Sequence, residues 1–112
     1  MDLADQSCIP CRGGVPALAP SRIEQLLRQL AGRWALNSNG HLECSYEFSN
    51  FVDAMNFANG VGDIANAENH HPDLHVGWGR CKVEIWTHKI SGLTDSDFYF
   101  AAKVERAFQQ LD

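Results

Sequence analysis

Positive charge is scarce in this sequence. Nine Lys and Arg face fourteen Asp and Glu, for a net charge of −5, and the basic residues stand singly along the chain. Binding to a phosphate backbone needs clustered cations, so nucleic acid is not expected as a direct partner. Long apolar runs are missing too. No stretch approaches the roughly 20 residues that a bilayer requires, and the first twenty residues carry Asp2 and Asp5 instead of the basic start and apolar centre of a secretory signal. A cytoplasmic location is therefore expected, with no membrane partner. There is no Gly-rich phosphate loop, which is consistent with chemistry that needs no nucleotide or redox cofactor.

Cysteine is sparse and poorly arranged for metal. Cys8-Ile9-Pro10-Cys11 has the CxxC spacing of a zinc or redox half-site, but a second CxxC is lacking. Cys44 and Cys81 fall in stretches that read as strands. Free thiols are expected in a reducing compartment, and no metal site is assigned. What remains is ordinary globular material of 112 residues, 45% apolar and 21% charged, with a mean hydropathy of −0.27. That length allows one domain with a modest core, so self-association as a dimer or tetramer would add useful burial.

Residues 1–20, with Pro10, Pro16, Pro20 and Gly13-Gly14, read as an irregular lead-in to a single domain over 21–112. Ser21 and Glu24 have the spacing of a capping box, and Ile23, Leu26, Leu27 and Leu30 follow at helical intervals up to Gly32. Period-two alternation then marks strands over 33–36 and 41–48, joined through Asn39-Gly40, with Leu42, Cys44, Tyr46 and Phe48 on one face. A second helix is introduced by Asn50, carries Phe51, Ala54, Met55, Ala58, Val61 and Ala65 on one stripe, and ends near Asn69 before Pro72. Gly60 and Gly62 inside it suggest that another backbone comes close.

A second hairpin follows, with Leu74, Val76 and Trp78 alternating before Gly79-Arg80 and Cys81, Val83, Ile85 and Thr87 alternating after it. Glu84 and Trp86 share the opposite face, so a lid or a neighbouring subunit is expected over Trp86. Thr94 caps a last helix with Asp95 and Asp97 in its first turn and a stripe of Phe100, Val104, Ala107, Phe108 and Leu111. The order α-β-β-α-β-β-α implies an α+β fold, a four-stranded antiparallel sheet with three helices on one face.

Chemistry concentrates in the histidines. His70 and His71 follow the second helix and His88 closes the fourth strand, and such junctions line clefts. Imidazole titrates near neutral pH, so two or three rings in one pocket can move protons without a metal. Pro72 stiffens the backbone directly after the pair. His41, beside a turn, reads as a hydrogen-bonded structural residue. His71 and His75, four apart, would share a helical face and could pair on a metal, but Pro72 and the alternation of Leu74, Val76 and Trp78 speak against a helix there.

The stretch Glu68-Asn69-His70-His71-Pro72-Asp73-Leu74, with Trp86-Thr87-His88-Lys89 and Gly92-Leu93-Thr94-Asp95-Ser96-Asp97-Phe98, resembles the pterin-4a-carbinolamine dehydratase family. The resemblance implies a cofactor-free hydro-lyase that removes water from 4a-hydroxytetrahydrobiopterin to give quinonoid dihydropterin. Such an enzyme recycles the cofactor of aromatic amino acid hydroxylases, one of which could be a pathway partner. The same resemblance makes His70 and His88 general acid and base and has His71 bind or orient the pterin, with Pro72, Thr87 and Asp97 supporting the substrate. Family members often carry an acidic residue where this chain has Asn66, and Glu68 is a stand-in for it. Trp34 falls where the family has a tryptophan near the pterin and would serve equally well as a core residue. Some relatives also act as dimerisation cofactors of a transcription factor, so the competing reading is a partner-binding module with weak or no catalysis.

Overall fold

The computed structural model describes residues 2–8 and 16–111. Its sheet is antiparallel throughout, in the order β1-β2-β4-β3, built from β1 (Ala35–Leu36), β2 (Leu42–Glu47), β3 (Asp73–Gly77) and β4 (Arg80–Ile85). The helices are α1 (Pro20–Leu27), α2 (Phe51–Glu68) and α3 (Asp95–Gln109). They lie on one face of the sheet, giving the expected α-β-β-α-β-β-α order.

Each strand pair follows from the alternation that the sequence carries. Leu42, Cys44 and Tyr46 of β2 and Cys81, Val83 and Ile85 of β4 are all buried under the helices, whereas Glu43, Ser45, Lys82 and Glu84 point to the other side. Successive side chains of a strand alternate sides, so a one-residue slip would bury the charged set and register is strongly fixed. The first hairpin loop is longer than two residues. Asn37 Oδ1 accepts from the main-chain N–H groups of Asn39 and His41 at 2.9 and 3.1 Å, an Asx-type turn that holds residues 37–41. In the second hairpin the turn falls at Trp78-Gly79, one residue before the expected Gly79-Arg80. A Cβ on Gly79 would stand 2.8 Å from the Phe48 carbonyl, and Phe48 N–H donates to Gly79 O at 2.8 Å, so only glycine fits that crossing.

The helices show where local signals compete. Asn50 caps α2 through its side chain, which accepts from Asp53 N–H at 2.8 Å, and Asn69 ends the helix in the left-handed region at φ 53°, both as the sequence implies. The capping box expected at Ser21 and Glu24 does not form. Pro20 occupies the first turn, with Ala19 before it, because proline's fixed φ is already helical and its missing N–H costs nothing there. Tight packing against the chain's own sheet does not explain Gly60 and Gly62: among the described residues a Cβ at either would meet no atom within 4 Å.

Part of the lead-in is ordered. Leu3–Asp5 forms a short 3-10 turn whose Leu3 and Ala4 are buried against α3, because two apolar residues and a neighbouring helix give burial that periodicity alone did not reveal. Cys11 lies outside the described residues. Cys8, Cys44 and Cys81 are free thiols.

At the centre sits Tyr46, fully buried between Phe57 and Phe108 with ring centroids at 4.8 and 4.6 Å. Its hydroxyl donates to Glu105 Oε1 at 2.8 Å, while Arg33 lies 3.4 Å from the same oxygen and Gln109 donates to the other. Burial, and then that hydrogen bond, raise the phenol's pKa well above its ordinary value and keep it a donor. Tyr46→Phe leaves Glu105 short of one buried donor. It should lower the free energy of unfolding by about 1–2 kcal/mol in urea titrations, with an unchanged m value.

Candidate active site

The site begins with a buried carboxylate. Asp97, in the first turn of α3, is fully buried, and an unpaired charge there would cost several kcal/mol. Three donors satisfy it. Thr94 N–H reaches Oδ2 at 2.8 Å, the Thr87 hydroxyl reaches Oδ2 at 2.7 Å, and His70 Nε2 reaches Oδ1 at 2.6 Å. The positive end of the α3 dipole adds to them. Thr87 spends its hydroxyl proton on Asp97, so the Thr94 hydroxyl, 3.0 Å away, donates in turn to Thr87.

This network sets the chemistry of His70. A carboxylate can only accept, so the proton of the neutral ring sits on Nε2 and Nδ1 is its basic nitrogen. The left-handed Asn69 turns the chain sharply out of α2 and presents His70 to the start of α3. Thr87 is held from β4 by a main-chain bridge to Gly92, N–H to O at 2.8 Å. Three separate elements therefore meet on one carboxylate.

The cleft beside this network has a volume of about 290 Å³ and is lined by Asn69, His70, His71, Trp86, Thr87, His88 and Lys89. It is small, close to the lower limit of ordinary ligand pockets at roughly 300 Å³, and suits one flat heterocycle. Larger hollows elsewhere, of about 640 and 590 Å³, contain no histidine. His71 Nε2 donates to Asn66 Oδ1 at 3.2 Å, which leaves Nδ1 as the basic nitrogen of that ring as well.

His88 is exposed and lies flat on Trp86, with centroids 4.2 Å apart and planes 4° from parallel. On the other face of the same indole lies His41, at 4.1 Å and 5°. Two imidazoles thus sandwich Trp86, so within this chain the indole is covered by the chain's own histidines. The register explains the pairing: Leu42 faces Ile85, so the next positions outward, His41 and Trp86, face each other on the outer side of the sheet. His41 Nδ1 contacts Glu84 Oε2 at 2.8 Å, and Asn37 Nδ2 donates to the same oxygen at 2.8 Å.

The structure thus gathers His70, His71, His88 and Thr87 around one cleft, with Asp97 directly behind His70. Trp34 is not among its lining residues. It is buried in the core with its ring edge-on to Tyr46 at 6.3 Å. Glu68 also lies elsewhere, accepting from Cys8 N–H at 2.9 Å, and Pro72 follows the histidine pair without lining the cleft. Asn66 itself, and not Glu68, touches His71. Lys89, Asn69 and Trp86 were missed as lining residues. Their signal was adjacency to the histidines, since a short turn places flanking residues in the same wall. His75 lies on β3, so the helix that would pair it with His71 does not form, and no group of three metal-ligating side chains occurs among the described residues.

The Asn37 hydrogen bond, then that of His41, hold the Glu84 carboxyl below its ordinary pKa. A depressed carboxyl stabilises the fold above its unfolded value, near 4.5, and that contribution disappears as pH falls through the folded value. Glu84→Gln should therefore melt about 4 °C below the parent at pH 7, the shift given by roughly 1 kcal/mol. The gap should shrink as pH drops below about 4, followed by thermal unfolding across pH.

The chain is similar to known proteins along most of its length. The family model described as pterin 4 alpha carbinolamine dehydratase matches residues 16–107. A protein of Rickettsia canadensis is 53% identical over 103 residues, which are 92% of this chain and 94% of that one. One of Rubrobacter xylanophilus is 51% identical over 105 residues, 94% of this chain and 97% of that one. Both bear the provisional name pterin-4-alpha-carbinolamine dehydratase. The crystal structure of a transcriptional coactivator/pterin dehydratase from Brucella melitensis superposes with a TM-score of 0.76 at 26% identity, covering 82% of this chain and 98% of that one. With the family model spanning most of its length and close relatives along nearly all of it, the chain belongs to the pterin 4 alpha carbinolamine dehydratase family.

Proposed function

We propose that this chain is a hydro-lyase that removes water from 4a-hydroxytetrahydrobiopterin to give quinonoid dihydropterin, using histidine side chains as general acid and base. The observation that carries the reading is the placement of His70, His71 and His88 around one small cleft, with His70 fixed by a buried carboxylate. In the reaction the C4a–O bond breaks and a ring nitrogen gives up its proton. Hydroxide leaves poorly, so the imidazolium of His88 hands a proton to the departing oxygen, and water is released. His70 takes the ring proton on Nδ1, and Asp97 stabilises the imidazolium that forms. Solvent then resets both rings.

The remaining walls suit the substrate. His88, stacked on Trp86, lines the cleft, and His71, steadied by Asn66, orients the pterin. General acid-base assistance of roughly 10²- to 10⁴-fold is adequate for a carbinolamine that already loses water slowly unaided. Neither metal nor redox cofactor enters this mechanism. The physiological role that follows is recycling of the pterin cofactor for an aromatic amino acid hydroxylase, by a protein that self-associates as a dimer or tetramer. No helix among the described residues is long and apolar enough to cross a membrane.

A second reading is binding of a protein partner. It draws on the name of the Brucella melitensis relative and on Phe51, Val52 and Trp78, which are exposed here, Trp78 by 73%. Capture of a stable partner that survives loss of all three histidines, with negligible dehydration, would favour it.

Two measurements test the catalytic reading. Replacing His70 and His88 together by Ala should lower stopped-flow dehydration of 4a-hydroxytetrahydropterin by about 10²-fold or more, toward the uncatalysed rate. Wild-type turnover in the folded double variant would reject the assignment. The wild-type rate should also be unchanged by a strong chelator, and a rate lost on chelation and restored by metal would reject the metal-free mechanism.

A further inference from the structure

The sequence carries a CxxC segment that the dehydration chemistry leaves unused, and it lies ahead of the family match, which begins at residue 16. The described residues that lead into it, 2–8, are anchored at two levels. Leu3 and Ala4 are 9% and 7% exposed against α3, Lys103 Nζ donates to the Ala4 carbonyl at 2.7 Å, and Arg106 pairs with Asp5 at 2.7 Å. From there the chain runs back along α3 to its first turn, a rise of about 10 Å between Lys103 and Ser96. There Cys8 touches both helices. Its main-chain N–H donates to Glu68 Oε1 at 2.9 Å, and its thiol donates to the Ser96 carbonyl at 3.4 Å.

Those two partners are the neighbours of the catalytic network. Glu68 is the last residue of α2, two before His70, and Ser96 directly precedes Asp97. Cys8 therefore spans the same gap between α2 and α3 that the 2.6 Å contact from His70 to Asp97 closes. We propose that residues 2–8 form a strap that positions the His70–Asp97 pair, with Cys8 as its clasp and Glu68 as the residue it grips. Cys8 and Glu68 are positioning residues here and touch no substrate. Burial, followed by the charge of Glu68, pushes the Cys8 thiol up to about 12, so it stays protonated and acts as a donor, not as a nucleophile or a metal ligand.

The inference rests on the acid-base reading of His70, and the test separates the two. In the full chain, Leu3→Asp expels the anchor and Glu68→Ala removes the grip. Each should lower kcat by about 3- to 10-fold with KM changed less than about twofold, a part of the roughly 10²-fold that a 1 Å misplacement costs. Because both act through one contact, the double variant should lose no more than either single one, whereas independent roles would multiply. Cys8→Ser keeps both donors and should hold kcat within about twofold of the parent. The ring resonances of His70, assigned by their loss in His70→Asn, should move in Leu3→Asp and Glu68→Ala and stay in place in Cys8→Ser.

Unchanged kcat and unchanged His70 resonances in folded Glu68→Ala would overturn the strap, even if Leu3→Asp failed to fold. Multiplying losses would overturn it too, since Glu68 would then act by another route. A KM rise without loss of kcat would make Glu68 a substrate contact. If the wild-type chain shows no dehydration, the functional reading falls by itself, and the strap is decided by the His70 resonances.

Discussion

One buried carboxylate organises this molecule. Asp97 has no access to water, so its charge is tolerable only while three donors from three elements stay in place. The first turn of α3, the end of β4 and the exit from α2 are therefore tied to one point. Elements that must meet to satisfy a charge also meet to form a cleft. The ionic cost of burying Asp97 and the placement of the histidines thus share one cause.

The outer side of the sheet supplies the second fixed wall by a different force. His88 is exposed and, among the described residues, bears no carboxylate partner like that of His70, so packing holds it. The indole of Trp86 is clamped between His88 and His41, and His41 is held in turn by Glu84 and Asn37. Flat stacking orients a ring but leaves its edge nitrogens available, whereas the bond to Asp97 takes one nitrogen of His70. The two histidines are thus prepared differently, one with a defined tautomer and one open to exchange with solvent. That asymmetry is what the proposed roles of acid and base ask of the two rings.

Legibility followed the range of the forces involved. Period-two and helical spacing gave the α+β order, the sheet face carrying Leu42, Cys44, Tyr46, Val83 and Ile85, the Asn50 cap and the Asn69 stop, because each rests on neighbours within a few residues. The Ser21 capping box failed where Pro20 offered a better first turn one residue earlier. Gly60 and Gly62 were read as a close approach, and among the described residues of the chain nothing stands near them. Trp34 and Glu68 were drawn toward the site by family resemblance, and the fold sends one to the core beside Tyr46 and the other toward Cys8.

The sequence by itself determined the element order, the two-sided sheet and the three histidines at element ends, since backbone propensity, side-chain alternation and capping are written locally. Tertiary structure alone decided that His70 would donate to Asp97, that Trp86 would be clamped between two imidazoles, and that residues 2–8 would run along α3 and bring Cys8 to the end of α2. Those contacts join positions far apart along the chain, and their energy comes from burial and charge satisfaction, which exist only once the elements have packed.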